Sequence, residues 1–378
     1  ELVLAFIILG KLLEVSGATK FFTDLAMALM GHRRGGPAKV AVVASSAFGT
    51  ISGSAVGNIM STGIVTIPMM KRTGFEPRYA AGIEAVASNG GQIAPPVMGA
   101  TAFIIAEFLE VPYIDVVIAA SIPAALYYLV LFLQVDAIAA RYGLEGLPKA
   151  ELPRAWPVIA SGWVFILPLG VLIYYLFGLG YNPALSAMNA CVALLVLWIV
   201  RNRRLPNRAE CADFIFGSGD NLVPLILIAG GAGVVMCVLN STGLAFQLSI
   251  ILTDIGQSAG IFVMLLMTAF VSIILGMGMP TAAIYIILAT VVAPALIEMG
   301  LQPMAAHLFL FYFGLLSLLT PPVAVASMVA AQLAGSDLWQ IFLFLRIGAV
   351  TQHGPHGVHL RMTGRAVTAR LVNFLHDR

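Results

Sequence analysis

Charge is what this chain lacks most. Lys, Arg, Asp and Glu together make only 10% of its 378 residues, against about 25% in an ordinary soluble domain. Hydrophobic residues make 60%, and the mean hydropathy is +0.96. So little polar surface cannot cover a water-soluble core, and the same balance excludes disordered chains and nucleic-acid-binding domains. Cysteine is nearly as scarce. Cys191, Cys211 and Cys237 stand far apart with no CxxC pair and no Cys/His cluster, which removes disulfide scaffolds and zinc modules. No Walker A loop is present, so the chain has no ATP-hydrolysing site of its own. From Ala209 to Leu345 there is not one Lys or Arg. What remains is an all-α polytopic membrane protein.

A membrane-crossing helix needs about 20 apolar residues. Uninterrupted runs cover residues 114–134, 156–177, 184–200 and 221–239, with partial runs at 2–13 and 339–350. Other apolar segments are interrupted. Residues 39–70 and 259–297 are too long for one crossing and carry Gly, Ser and Pro in their middles. Residues 79–108 and 304–333 are split by Pro95-Pro96 and Pro321-Pro322. Glu1 falls inside an apolar segment, so sequence before it is expected. Residues 351–378 hold His353, His356, His359, His376 and four arginines. That abrupt change marks an atypical tail, to which no function is assigned.

Two interrupted segments of each kind indicate duplication. An offset of 226 residues lays Gly17 on Gly243, Pro68 on Pro294, Gly74 on Gly300 and Pro77 on Pro303. It also lays Pro95, Pro96 and Val97 on Pro321, Pro322 and Val323, and Ser52-Gly53-Ser54 on Gly278-Met279-Pro280 without a gap. The expected organisation is a first repeat over 1–135, connecting scaffold helices and loops over 136–220, and a second repeat over 221–350.

Positive charge sets their orientation. Arg33, Arg34 and Lys39 precede the first long segment, and Lys71, Arg72 and Arg78 follow it. Residues 39–70 therefore enter and leave by the cytoplasmic face, as a re-entrant hairpin with its tip near 51–55. The loops with Arg141, Lys149 and Arg154, and with Arg201, Arg203, Arg204 and Arg208, are also cytoplasmic. The second hairpin, in the stretch free of Lys and Arg, opens outward. The repeats are thus expected to be inverted.

Non-helical backbone is costly in hydrocarbon and survives only inside protein or around a cavity. At 1.5 Å per residue, Asn89 to Gly91 lie about 15 Å beyond Arg78, near the bilayer midplane. Four irregular segments are expected to meet there: 50–58, 88–96, 276–281 and 317–322. Gly53, Gly90, Gly91, Gly276 and Gly278 allow close backbone approach, and Pro95, Pro96, Pro280, Pro321 and Pro322 interrupt helices. Oxygens of Ser52, Ser54, Asn89, Gly278, Thr281 and Thr320 are candidate Na⁺ ligands. Asn58 and Ser317 are donors better suited to capping or bridging helices. Half-helix N-termini aimed at the same place suit a carboxylate. This is the pattern of a secondary transporter. Glu84, about two turns from Arg78, is expected near the cytoplasmic interface, snorkelling or paired. His307 reads as a satisfied structural histidine.

Gly217-Ser218-Gly219-Asp220 matches the G-x-G-D pattern of intramembrane aspartyl proteases. That chemistry requires a second intramembrane aspartate, and Asp220 has none to pair with.

The run Arg33-Arg34-Gly35-Gly36-Pro37-Ala38-Lys39, then Gly49-Thr50-Ile51-Ser52-Gly53-Ser54, resembles the large membrane subunit of TRAP (tripartite ATP-independent periplasmic) transporters. Asn89-Gly90-Gly91-Gln92-Ile93-Ala94-Pro95-Pro96, Gly276-Met277-Gly278-Met279-Pro280-Thr281 and Leu319-Thr320-Pro321-Pro322 fit it too. The likeness covers roughly residues 1–346 and is greatest to fused permeases serving TAXI-type binding proteins. It implies a sodium-coupled, elevator-type importer of organic anions in the bacterial inner membrane, with no organic cofactor. The implied partners are a periplasmic TAXI-type binding protein and small-subunit-like helices missing from this chain. A stand-alone carboxylate symporter is the alternative.

Overall fold

Residues 2–347 are described by a computed structural model, and the regular structure among them is entirely helical. The first elements are α1 (Leu2–Ser16), α2 (Ala18–Met30), α3 (Gly36–Ser52), α4 (Ala55–Asn58), α5 (Ile64–Arg72), α6 (Pro77–Gly90) and α7 (Gly99–Leu109). Four longer helices follow: α8 (Tyr113–Tyr142), α9 (Ala155–Ile173), α10 (Pro183–Asn202) and α11 (Arg208–Ser241). Next come α12 (Leu244–Ala259), α13 (Ile261–Leu275), α14 (Thr281–Val291), α15 (Ala293–Glu298), α16 (Pro303–Leu316), α17 (Val325–Ala334) and α18 (Leu338–Ile347). The histidine-rich tail lies outside the described residues.

Three stretches among the described residues are long and apolar enough to cross a bilayer: Tyr113–Tyr142, Lys149–Gly178 and Pro183–Asn202. Their outward faces carry large apolar side chains such as Ile118, Ile122, Trp163 and Val196, which hydrocarbon stabilises and water would not. Asp220, of the protease-like motif, is an exposed residue within α11.

The interrupted segments break where glycine or proline makes helix continuation unfavourable. α3 ends at Gly53, whose φ of +63° is left-handed, a conformation open to glycine without a Cβ penalty. Ser54 is extended, and its Oγ accepts the Gly57 N–H at 3.1 Å, capping α4. The chain then passes through a π turn, Ile59–Gly63, into α5, and α3 packs along all three pieces. The helix break at Gly53 and Ser54 lies between residues 51 and 55. α6 ends at Gly90, makes one 3₁₀ turn over Gly91–Ile93, and resumes as α7 after a non-helical stretch that contains Pro95 and Pro96. α16 and α17 are separated in the same way around Pro321 and Pro322; both Pro-Pro peptide bonds are cis.

Backbone landmarks recur between the two halves. Gly17 and Gly243 are left-handed N-caps of α2 and α12. Gly74 and Gly300 share a φ of +95°, and α6 and α16 each open on a proline, Pro77 and Pro303. The gapless alignment of the tips needs a correction. Positive φ falls on Gly35 and Gly260, and on Gly53 and Gly278, one residue short of the offset that holds elsewhere. Met279 restores it, so Ser54 and Pro280 both stand immediately before a helix, α4 and α14. The turn selects the glycine that can adopt its backbone angle, and the alignment follows.

Candidate functional site

The four irregular segments are joined by side-chain hydrogen bonds. At the first tip, Thr50 Oγ1 donates to the Ala94 carbonyl at 2.5 Å and accepts the Val97 N–H at 3.4 Å. That ties the end of α3 to the break after α6. The first break reaches the second: Asn89 Nδ2 donates to the Leu315 carbonyl at 3.2 Å. It also reaches the second tip, where Thr281 Oγ1 donates to Gln92 Oε1 at 2.8 Å. The second break closes on that tip through Ser317 Oγ, whose hydrogen is shared between the Gly276 carbonyl at 2.9 Å and the Gly314 carbonyl at 2.6 Å.

Backbone crowding reinforces these links. A Cβ on Gly91 would lie 2.5 Å from the Gly49 Cα, and one on Gly99 would lie 3.0 Å from the Gly53 Cα. A Cβ on Gly276 would lie 2.6 Å from Ser317 Oγ. Gly90 lies under the Tyr127 ring, which a Cβ would strike. Glycine is thus required here by close approach, as well as by the turns at Gly53 and Gly278.

Two buried oxygens in this cluster have no hydrogen-bond partner, Ser52 Oγ and Asn89 Oδ1. An unpaired buried acceptor is costly, and both are of the type that coordinates a hard monovalent or divalent cation. Other expected oxygens are engaged. Ser54 Oγ caps α4, Thr281 is bound to Gln92, and Thr320 Oγ1 donates to the Leu316 carbonyl at 3.0 Å within its own segment. Asn58 bridges, donating to the carbonyls of Ser45 at 2.7 Å and Ser88 at 3.4 Å. Gly278 lies in the second tip with only Val323 Cγ1, at 3.8 Å, near the place of a Cβ. The prolines lie in the breaks themselves, with Pro280 immediately before α14.

Sequence reasoning passed over Thr50 and Gln92, which hold the segments together. Their signal was position: each lies beside a glycine inside an interruption. It also passed over the tyrosines of α8. Tyr127 and Tyr128 donate to the carbonyls of Val86 and Ala87 at 2.8 and 3.0 Å, and Tyr113 donates to Val97 O at 2.6 Å. These bonds satisfy carbonyls near the break in α6.

Glu84 is a correction. It neither snorkels nor pairs with a cation; its side chain is fully buried, and none of the ion pairs among the described residues includes it. Four hydroxyls surround it instead. His307 is buried, with Nδ1 2.6 Å from the Tyr285 hydroxyl, as a structural histidine would be.

A helical chain with paired interruptions, rather than a constellation of nucleophile, base and orienting group, defines a membrane transport protein. The family model described as "Tripartite ATP-independent periplasmic transporter, DctM component" matches residues 1–359, and the chain belongs to this family of transporter permeases; it is not an enzyme. Similar proteins include the C4-dicarboxylate TRAP transporter large permease protein DctM of Pseudomonas aeruginosa, 28% identical over 336 residues, 88% of this chain and 77% of that one. The 2,3-diketo-L-gulonate TRAP transporter large permease protein YiaN of Escherichia coli is 27% identical over 320 residues, 84% and 74%. The sialic acid TRAP transporter large permease protein SiaM of Vibrio cholerae is 21% identical over 327 residues, 86% and 75%.

Proposed function

We infer that this chain is the membrane permease of a binding-protein-dependent secondary transporter that imports small organic anions against a gradient, coupled to Na⁺, across a bacterial inner membrane. The observation that carries the reading is the hydrogen-bonded cluster of four interruptions, centred on the first break, with Ser52 Oγ and Asn89 Oδ1 left unpaired. Na⁺ is cargo in this scheme. It binds those oxygens together with backbone carbonyls freed at the tips, and the positive ends of α7 and α17 face the substrate carboxylate. The relatives named for dicarboxylate, diketogulonate and sialic acid transport support an anionic substrate class.

In this reading the tips and breaks belong to inverted repeats with re-entrant hairpins, and they move as one body in an elevator cycle. Ion binding orders the tips at Ser52 to Ser54 and Gly278 to Thr281, and the substrate site closes. α8 travels with that body, because its three tyrosines are bonded to the α6 segment. The uninterrupted α9 and α10 form the scaffold. Family membership supports two partners, a periplasmic substrate-binding protein and a small membrane subunit; a TAXI-type binding protein is the form the sequence motifs favour.

The test is uptake by proteoliposomes holding the permease and its small subunit, with and without the binding protein, under an imposed Na⁺ gradient. Uptake that requires both is expected. Uptake without a binding protein identifies a stand-alone symporter, and uptake indifferent to Na⁺ overturns the coupling.

A further inference from the structure

Glu84 is the buried ionisable group that the transport reading does not use. Its Oε1 lies 2.8 Å from Ser45 Oγ on α3, 2.7 Å from Thr62 Oγ1 in the π turn, and 3.1 Å from Ser88 Oγ on α6. Its Oε2 lies 2.5 Å from Thr66 Oγ1 on α5. One carboxyl group thus joins α3, the π turn and α5 to α6, the helix that carries Asn89. The π turn falls opposite it, with Gly63 so close that a Cβ there would lie 3.1 Å from Glu84 Cγ. Such turns often mark functional positions.

The cage is short of hydrogen. Each hydroxyl has one to give, and three of them, Ser45, Thr62 and Thr66, have competing acceptors. Thr62 Oγ1 also faces the Asn58 carbonyl at 2.8 Å and Asn58 Oδ1 at 3.3 Å, and Ser45 Oγ is 2.9 Å from it. Thr66 Oγ1 also faces the Thr62 carbonyl at 3.1 Å. One further hydrogen on Oε2, given to Thr66 Oγ1, frees the Thr66 hydrogen for the Thr62 carbonyl. The oxygen separations, 2.5 to 3.1 Å around the carboxyl, are hydrogen-bond lengths, so the cage takes a proton without opening.

Among the described residues, no other charge compensates Glu84. On α3, Lys39 is paired with Asp136 of α8. On α5, Lys71 is bonded to the Ala334 carbonyl, and Arg72 is exposed at the helix end. On α6 itself, Arg78 is paired with Glu76, and Tyr79 is bonded to Tyr142. Tyr127 and Tyr128 of α8 donate to backbone carbonyls. α4, the π turn, the Gly91–Ile93 turn and α17 carry no ionisable side chain.

We propose that the Glu84 cage is a proton-binding site, and that the bound proton holds the arms of the first hairpin on α6 and so positions Asn89. Glu84 is a positioning residue and does not touch substrate. Loss of the proton leaves a buried charge unmatched among hydroxyls and loosens the hairpin. The transport arm of the test rests on the function proposed above; the spectroscopic arm does not.

Infrared spectra of the purified full-length chain in lipid nanodiscs at neutral pH are expected to show a buried carboxylic acid C=O band that Glu84→Gln removes. Absence of that band in the unsubstituted protein overturns the proposal. In proteoliposomes, uptake is expected to fall as pH rises, and Glu84→Gln, whose amide offers the same acceptor and a donor to Thr66, is expected to lose that dependence. Glu84→Ala is expected to reduce uptake about tenfold or more at every pH, because it strands several hydroxyls. Identical pH profiles for Glu84→Gln and the unsubstituted protein, or a loss in Glu84→Gln as deep as in Glu84→Ala, overturn the proposal. Failure of the unsubstituted protein to transport at any pH overturns the transport reading and leaves the infrared result to decide this one.

Discussion

Asn89 donates its side-chain amide to the carbonyl oxygen of Leu315 at 3.2 Å, and the two residues are 226 positions apart. That interval is the one relating Gly17 to Gly243 and Pro77 to Pro303. A residue that bonds to its own counterpart sits where the two halves meet, so the breaks take part in that junction. Asn89→Asp keeps the free Oδ1 and removes the donor, leaving the Leu315 carbonyl with only the Leu318 N–H, at 3.2 Å, from its own segment. The expected cost is about 0.5–1.5 kcal/mol of stability, read as a lowered denaturation midpoint in detergent. If the midpoint is unchanged, this bond does not join the halves.

The link between the first break and the second tip is separable. Gln92→Leu and Thr281→Val each remove one end of a 2.8 Å bond. A double-mutant cycle on folding stability is expected to give a coupling of about 0.5–1.5 kcal/mol. Additive effects would mean that the tip and the break are energetically independent.

Gly53 and Gly278 adopt φ of +63° and +77°, and the two differ in surroundings. The Gly53 Cα lies 3.0 Å from where a Cβ on Gly99 would sit, while a Cβ on Gly278 would have only Val323 Cγ1, at 3.8 Å, beside it. In the proposed cycle, a Leu at either position is expected to abolish Na⁺-dependent uptake while surface expression persists, because a left-handed turn costs an L-residue only about 1–2 kcal/mol but the tip would no longer close. Uptake equal to the unsubstituted protein would remove the tips from the mechanism.

Gly91→Ala directs a methyl at the Gly49 Cα from 2.5 Å, backbone against backbone. Overpacking of this kind costs about 1–3 kcal/mol. Gly219→Ala, with nothing within 4 Å of its Cβ, is the control and is expected to be neutral or slightly stabilising within a helix. Comparable melting temperatures for the two variants would show that the α3–α6 crossing is looser than described.

The interruptions were legible in the sequence because their causes are local. Gly53, Gly278 and the Pro-Pro pairs make helix continuation unfavourable, and the structure breaks at each of them. The one-residue slip between the tips was not legible. Gly278 aligned on Ser52 by count, and only the backbone turn decided that it matches Gly53. Glu84 was misplaced for a related reason. Distance along a helix from Arg78 measures depth, but it does not reveal which helices pack on the carboxyl face, and Ser45, Thr62, Thr66 and Ser88 come from four different elements. Ser52 and Asn89 were named as ligands from their segments; their unpaired oxygens emerged from the packing.

The sequence by itself determined that this chain lives in a membrane, that it carries paired interruptions, and that glycines and prolines recur between its halves at an interval that holds outside the tips. Those properties depend on hydropathy and on local backbone preference, which each residue brings with it. Only the tertiary structure decided which interruption touches which, where glycine is required by a neighbouring backbone, and which buried oxygens lack a partner. These depend on contacts between segments far apart in the chain, and a hydrogen bond over 226 residues leaves no mark on either of its ends.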